Sequence, residues 1–378
     1  SITVGTVFTF PMFGSYNTGG TQNYDTDANI ERCSLDVISI FARYPKWESG
    51  RSRTMKQTDD AIHAKSTIGT KVVQYVLPLD QADPQSSGGA YYPLWQSINT
   101  ANWWLRTAYP SGAKVAGDPG FYAVNLVAGG PTLNGRTYQQ HFAAWAMDWA
   151  VNGDAAGLSY AGADQPNPSL DGFFMDNLKR SRFTSGDWLR TGAASGTDSD
   201  VRAGEMAILN ILKAAKPGSI IGGNVSEFQV AGSISTEFDG QLDFAVLEGM
   251  IGETWSYETF KKAGDTPSLE AELIRIYAKQ MAILKAGGIG LFVHMGLTSD
   301  GRDNGGTNPG STVTPYQGLR HGLACCLVLG NAAYCPAGTS HYSVATNIAL
   351  WFDEFAVNRA TGIPYATPTS ASAPGLGY

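Results

Sequence analysis

The chain has 378 residues, of which 43% are hydrophobic and 16% are charged, and its formal net charge at pH 7 is −7. This composition is that of a folded globular protein. A negative chain without clustered lysine and arginine argues against a nucleic-acid partner, because phosphate backbones are bound by basic patches. No apolar run approaches the ~18 residues of a transmembrane helix, so we expect no membrane partner either.

Low charge together with 45 Gly, 17 Tyr and 9 Trp favours an extracellular or virion-associated protein. The numbering begins at Ser1 without a charged leader, so we expect any signal peptide or upstream domain to lie outside this sequence. Four cysteines lack the spacing of a metal site, so we predict no metal and buried free thiols, with one disulfide left open. These cysteines are Cys33, Cys325, Cys326 and Cys335.

Residues 1–30 are rich in Gly, Thr and Asn and predict an N-terminal arm. From residue 31 onwards, apolar strands alternate with helical patterns, which is typical of βα units. The predicted helices span 58–66, 98–108, 137–151, 201–215, 269–286 and 316–329. The predicted strands span 35–41, 71–77, 121–127, 172–175, 219–223, 242–247, 289–293 and 332–334.

Eight strand–helix alternations predict a closed (β/α)8 TIM barrel, an α/β fold, rather than an open sheet. An open doubly wound fold would need a Gly-rich phosphate turn after its first strand. The segment Ile40–Tyr44 contains no glycine, so we expect no nucleotide cofactor. We assign the barrel to residues 31–365 and a flexible, disordered tail rich in Pro, Ser and Gly to 366–378.

Two predicted strands end at a carboxylate. The apolar stretch Phe173–Met175 is followed by Asp176, and a similar stretch from Leu242 is followed by Glu248. The C-terminal ends of parallel strands converge on the face where ligands bind. Two carboxylates in a cleft are what glycoside hydrolysis requires, one as acid/base and one as nucleophile or second base. We therefore predict Asp176 and Glu248 as the catalytic pair.

Each carboxylate also has a structural interpretation. Asp176 could cap the next segment or pair with Lys179 or Arg180. Glu248 could form a buried ion pair with Arg43 or Lys179. Asp171 precedes its strand and therefore falls at the opposite edge of the barrel, where side chains serve stability.

Amide, aromatic and basic side chains at the predicted strand ends suit sugar hydroxyls and rings. The predicted substrate-binding residues are Arg43, Tyr75, Trp104, Asn177, Asn224 and His294. A packing role is the alternative for Trp104, and a place at the barrel rim is the alternative for His294. Basic residues are few at these positions, so we expect a neutral or amino-sugar glycan. No Gly-x-Ser-x-Gly elbow, His-Glu-x-x-His or Walker loop occurs.

The run from Asp171 to Asn177, Asn224 after the fifth strand and Leu-Glu-Gly around Glu248 resemble bacterial hypothetical glycosyl hydrolases of the (β/α)8-barrel type. Those proteins are remotely similar to endo-α-1,4-polygalactosaminidases. The layout also resembles the α-galactosidase/α-glucosidase clan, with carboxylates after strands four and six. The resemblance spans about residues 33–355 and implies Asp176 as nucleophile and Glu248 as acid/base. Glu rather than Asp after strand six departs from that clan, which leaves the retaining mechanism open.

The sequence therefore predicts a glycoside hydrolase that cleaves an O-glycosidic bond in a poly- or oligosaccharide. The alternative is a non-catalytic glycan-binding barrel of a phage tail, gene-transfer particle or adhesin, whose composition is similar to that of this chain. A larger particle is thus a second expected partner beside the carbohydrate. The separation of the two carboxyls distinguishes an enzyme from a binding protein. About 5–5.5 Å indicates a retaining enzyme and about 6.5–9.5 Å an inverting one.

Overall fold

The structure is a computed structural model, and it describes part of the chain. The described residues are 27–41, 53–85, 87, 91–108, 111–116, 120–153, 166–178, 198–225, 237–252, 282–295, 326 and 332–336. Within these ranges the backbone alone is described at 28, 29, 32, 198, 247–252, 293–295, 335 and 336. Most of the predicted arm, the predicted tail and most of the helices predicted at 269–286 and 316–329 lie outside the described residues.

A parallel sheet organises the described part of the chain, and its seven strands lie side by side in chain order. Its strands are β1 Ile38–Phe41, β2 Lys71–Val76, β5 Gly172–Met175, β6 Ile220–Asn224, β7 Leu242–Gly252, β8 Leu284–Met295 and β9 Ala332–Pro336. A second sheet consists of β3 Asp80–Ala82 and β4 Phe121–Ala123, which pair antiparallel. Each strand is twisted in the same sense relative to its neighbour. The seven strands together form a half-barrel.

The strand predicted at 121–127 does not join the parallel sheet. Its first part is β4, while β2 pairs directly with β5, so the described half-barrel has seven parallel strands rather than eight. Two of the three β4 side chains are half-buried, whereas the strands of the large sheet are almost wholly buried. A strand with one wet face suits a small antiparallel ribbon better than the interior of a parallel sheet.

Five helices are described: α1 Asp27–Cys33, α2 Met55–Lys65, α3 Tyr92–Ala101, α4 Tyr138–Met147 and α5 Asp198–Ala215. Thr54 and Thr137 begin α2 and α4 with capping boxes, in which each Thr hydroxyl accepts the N–H of a Gln three residues on. After Met147 the chain continues as a π-helical turn, Asp148–Asn152. Helix α1 crosses the predicted arm boundary, and its Ile30 is fully buried in the core. In the described part of the chain, no helix has the length and hydropathy needed to cross a membrane.

The two faces of the sheet contribute to two separate apolar clusters, and this decides where the functional side chains lie. Phe173 and Met175 of β5 pack in the larger cluster with the helices. Phe174, between them, packs in the inner cluster with Tyr75, Phe244 and others. Because side chains alternate along a strand, a residue two positions after Phe174 belongs to the inner face.

The cysteines follow the prediction where the structure describes them. Cys33 and Cys326 are thiols that take part in no disulfide, and both are buried. The side chains of Cys325 and Cys335 lie outside the described part.

Candidate functional site

Asp176 directly follows β5 and lies at the C-terminal edge of the half-barrel. Its backbone N–H donates to the carbonyl of Val76 at 2.9 Å, so the β2–β5 ladder continues as far as this residue. The side chain is 9% exposed and, two residues after Phe174, belongs to the inner face. The carboxylate predicted as catalytic is therefore at the edge where ligands bind in barrel proteins.

Neutral groups from three places hold the Asp176 carboxylate. The Tyr75 hydroxyl on β2 donates to Oδ2 at 2.8 Å, and the Asn224 side-chain amide at the end of β6 donates to Oδ1 at 3.1 Å. The backbone N–H of Asn177 also donates to Oδ1, at 2.9 Å. Hydrogen bonds donated to a carboxylate stabilise its ionised form and fix its orientation.

The turn that carries Asp176 is attached on both sides. Leu178 N–H donates to the carbonyl of Asn224 at 3.0 Å, which joins the turn to β6. A Cβ at Gly223 would lie 2.8 Å from the backbone carbonyl oxygen of Met175 and would also meet the Leu178 side chain, so this position of β6 needs glycine. On the other side, the Asn177 amide donates to Asp80 Oδ2 at 3.2 Å.

Asp80 is the member of this cluster that the predicted site does not include. It is the first residue of β3 and is fully buried. The sequence places a carboxylate shortly after the second strand, which was the available signal, but its contact with Asn177 depends on how the small sheet packs. Tyr75, Asn177 and Asn224, by contrast, were predicted and lie around Asp176.

Glu248 is described through its backbone alone. Asn224 of β6 is level with Val246 of β7, so Glu248 lies two residues beyond the level of Asn224, and it is paired with Val293 of β8. His294 pairs with Ile251, and its side chain lies outside the described part, as does that of Glu248. The residue Arg43 lies outside the described residues altogether, as do Lys179 and Arg180.

Trp104, predicted to bind substrate, is buried in the larger apolar cluster. Its side chain is 1% exposed, and its indole N–H donates to Asn99 Oδ1 at 2.8 Å. Lys114 Nζ lies 4.1 Å from the ring centroid, and Tyr122 packs edge-on against the same ring. Lys114 and Tyr122 thus contact the ring, and its burial favours the packing alternative for Trp104.

The described residues contain no set of side chains that could bind a metal ion. Among these residues, no group of three or more His, Cys, Asp and Glu side chains could hold a metal ion.

No protein-family model matches this sequence, and no curated protein matches it. Among solved structures, the chain is similar to Eubacterium rectale Amy13B, at 10% identity and a TM-score of 0.50 over 89% of this chain and 66% of that one. It is also similar to the glycoside hydrolase domain of PelA from Pseudomonas aeruginosa, at 12% identity and a TM-score of 0.42 over 83% of this chain and 91% of that one. These neighbours are glycoside hydrolases of the barrel type. The likeness to Amy13B, at 10% identity, extends to the fold and supports the half-barrel.

Proposed function

We propose that this protein is a glycoside hydrolase that cleaves an O-glycosidic bond in a poly- or oligosaccharide, with Asp176 and Glu248 as its carboxylate pair. One observation supports this most directly. Asp176 is a nearly buried carboxylate at the ligand-binding edge of the sheet, held by neutral donors on β2, β6 and its own turn. A carboxylate oriented in this way and kept ionised is suited to attack a sugar or to activate water.

Asp176 is the nucleophile in this proposal if the enzyme retains configuration, and the general base if it inverts. In both mechanisms the carboxylate has to be charged before the bond breaks. The Tyr75 hydroxyl and the Asn224 amide satisfy this requirement without placing a positive charge beside the developing oxocarbenium ion. The same donors also fix the carboxylate rotamer, so that little reorganisation accompanies the reaction.

Glu248 is the proposed acid/base, and the strand register supports its place in the pair. Two strand spacings separate β5 from β7, and Glu248 is two residues further along than the level of Asn224. With about 4.8 Å between strands and about 3.3 Å per residue, the Cα atoms of Asp176 and Glu248 are roughly 12 Å apart. Side chains from these two positions can span the gap of about 5–9.5 Å used by retaining and inverting glycosidases.

The proposed substrate is a neutral or amino-sugar glycan outside the cell, and a larger particle is a further proposed partner. An acidic polymer would need several cations at the strand ends. The basic residues that the sequence offers there are only Arg43, Lys179 and Arg180. The net charge of −7 would also repel a polyanion at low ionic strength.

A polysaccharide panel tests the proposal, with neutral, amino-sugar and uronic-acid polymers and release of reducing ends as the measurement. We expect the wild-type protein to cleave a neutral or amino-sugar chain, and Asp176→Asn and Glu248→Gln to abolish cleavage. Asp171→Asn is the matched control, because it removes a carboxylate from the other end of the same strand. Glycan binding without cleavage by the wild-type protein would favour the non-catalytic barrel, and near-normal activity of Asp176→Asn would reject the mechanism.

A further inference from the structure

Asn177, the residue after Asp176, has an unusual backbone conformation and an unusual partner. Its φ is 56°, in the left-handed region that side-chain-bearing residues seldom occupy. Its side-chain amide donates to Asp80, a carboxylate with no exposed surface. Its backbone N–H donates to Asp176. One residue therefore links a fully buried acid to the carboxylate at the sheet edge.

The N–H of Asn177 lies in the peptide plane between Asp176 and Asn177. The backbone is fixed on both sides of this plane by the hydrogen bonds from Asp176 N–H to Val76 and from Leu178 N–H to Asn224. The orientation of the plane and φ of Asn177 therefore change together, so the left-handed conformation accompanies an N–H that faces Oδ1.

Asparagine adopts the left-handed conformation more readily than other non-glycine residues, and a local hydrogen bond can offset its strain. The bond to Asp80 is such a contact, and it joins β3 to the end of β5 across 97 residues of sequence. Burying a carboxylate such as Asp80 costs free energy unless hydrogen bonds compensate. The bond from Asn177 is one such compensation, and it also fixes the geometry at Asp176.

We propose that Asp80 is a positioning residue of the edge site: it holds Asn177 in the left-handed conformation in which the Asn177 N–H stabilises the charged Asp176 carboxylate. This inference rests on the proposed function of Asp176. Asp80 itself does not touch the substrate, because none of its surface is exposed. It acts through two hydrogen bonds in series, the first from the Asn177 side-chain amide to Asp80 and the second from the Asn177 N–H to Asp176.

The consequence is specific to the ionisation of Asp176. Without the Asp80 acceptor, the peptide between Asp176 and Asn177 can rotate, which returns φ of Asn177 to an ordinary value and turns its N–H away from Oδ1. The carboxylate then loses one of the donors that favour its charged form. Loss of one hydrogen bond to a charged group corresponds to a rise of about 1 pH unit in the midpoint at which Asp176 ionises.

Three variants separate positioning from general structural support. Asp80→Ala removes the acceptor, whereas Asp80→Asn keeps an acceptor oxygen for the Asn177 amide. Asn177→Gly loses the amide but takes the left-handed conformation without strain, so it keeps the N–H in place. We expect Asp80→Ala to raise the ionisation midpoint by about 1 pH unit, and the other two to raise it by less than about half of that.

The measurement is the carboxyl carbon shift of Asp176 in aspartate-labelled protein, assigned by comparison with Asp176→Asn and followed by NMR against pH. It needs no substrate. Should Asp80→Ala fail to fold, Asn177→Ala replaces it, because it removes the same bond from the other side and is expected to give the same rise. An unmoved midpoint in the folded variant would overturn the proposal.

A double variant provides the second check. If Asp80 acts through Asn177, then Asp80→Ala adds almost nothing to the midpoint once Asn177→Gly is present. Additive shifts would overturn the positioning role. The glycan panel is independent of both: a moved midpoint in a protein that cleaves no glycan keeps the positioning of Asp176 and rejects the hydrolase. An active hydrolase with an unmoved midpoint keeps the enzyme and rejects the positioning.

Discussion

Strand β5 carries an aspartate at each end, and the two carboxylates are held in different ways. At the N-terminal end, Lys71 Nζ and His63 Nε2 lie 2.9 and 2.8 Å from the Asp171 oxygens, and Val72 N–H donates to Oδ2 at 2.9 Å. At the C-terminal end, the donors named for Asp176 are a phenol, an amide and a backbone N–H. Lys71 and His63 join Asp171 to β2 and α2, which contributes to stability, whereas the donors named at Asp176 orient a carboxylate at the ligand-binding edge.

The N-terminal edge repeats its arrangement two strands away. Asp243 of β7 accepts the N–H of Ile221 on the neighbouring strand at 2.9 Å. Lys213 and Lys285 lie 3.1 and 3.6 Å from its two oxygens. Burial, together with the nearby Lys285, lowers the pKa of Lys213. Asp171 and Asp243 therefore both use a neighbouring strand's N–H and a lysine, which marks this edge as the one that stabilises the sheet.

The largest expected effect is on catalysis, at the C-terminal end. Asp176→Asn should lower turnover on the active glycan by several orders of magnitude, because the amide can neither attack nor accept a proton. Asn has the same shape and keeps one acceptor oxygen for the donors, so the free energy of unfolding should fall by about 1–2 kcal/mol, less than for Asp171→Asn. Urea unfolding and initial rates on the same preparations measure both quantities. A variant that is inactive only because it is unfolded would break the comparison.

The next effect is on stability, at the N-terminal end. Asp171→Asn should lower the free energy of unfolding by about 2–4 kcal/mol at pH 7 and leave turnover within about twofold. Burial opposes its charge, but bonds from His63, Val72 and Lys71 lower the pKa of Asp171. Its contribution is therefore present above an unfolded pKa of about 4 and is lost as the pH falls. Asp60 lies on the same helix as His63, and its carboxylate is more exposed than that of Asp171. Asp60→Asn should therefore change the free energy of unfolding by less than about 1 kcal/mol.

A smaller effect is the pH dependence of stability at the same end. Burial raises the pKa of Asp59 to about 7, and the Asp171 hydrogen bond raises that of His63. Both folded pKa values exceed the unfolded ones, so both contributions are present at low pH and lost as the pH rises. Between pH 5 and 8, ionisation of Asp59 should lower the free energy of unfolding by on the order of 2 kcal/mol. In Asp59→Asn, the free energy of unfolding should fall by that much less over the same pH range. Equal slopes for wild type and variant in urea unfolding would contradict this assignment.

The smallest effect concerns a single donor at the C-terminal end. Tyr75→Phe keeps the ring that packs on Phe174 and removes only the hydroxyl bonded to Asp176. Turnover should fall about tenfold and stability by no more than about 1 kcal/mol, as for one hydrogen bond to a charged group. Tyr122→Phe, on the small sheet, is the control and should leave turnover unchanged. Equal rates for wild type and Tyr75→Phe would remove the hydroxyl from the proposed mechanism.

Most strands of the large sheet were predictable because they are buried on both faces. Such strands are continuous apolar runs, and the segments predicted at 172–175 and 219–223 match β5 and β6 to within one residue. The strand predicted at 121–127 was assigned to the wrong sheet, because an apolar run does not specify its pairing partner. Leu284–Ala286, predicted as the end of a helix, instead begins β8, where pairing with β7 overrides the local helical pattern.

The sequence by itself determined that a carboxylate ends β5 and that it belongs to the inner face, because alternation along a strand is a local property with a period of two. Only the tertiary structure decided what surrounds that carboxylate. Tyr75 is 101 residues away in sequence and Asn224 is 48, and Asp80 meets Asn177 across 97. These contacts depend on strand order and on the packing of the small sheet, which no local pattern encodes. The same holds for Trp104, whose aromatic character is evident in the sequence while its burial under Lys114 is a product of folding.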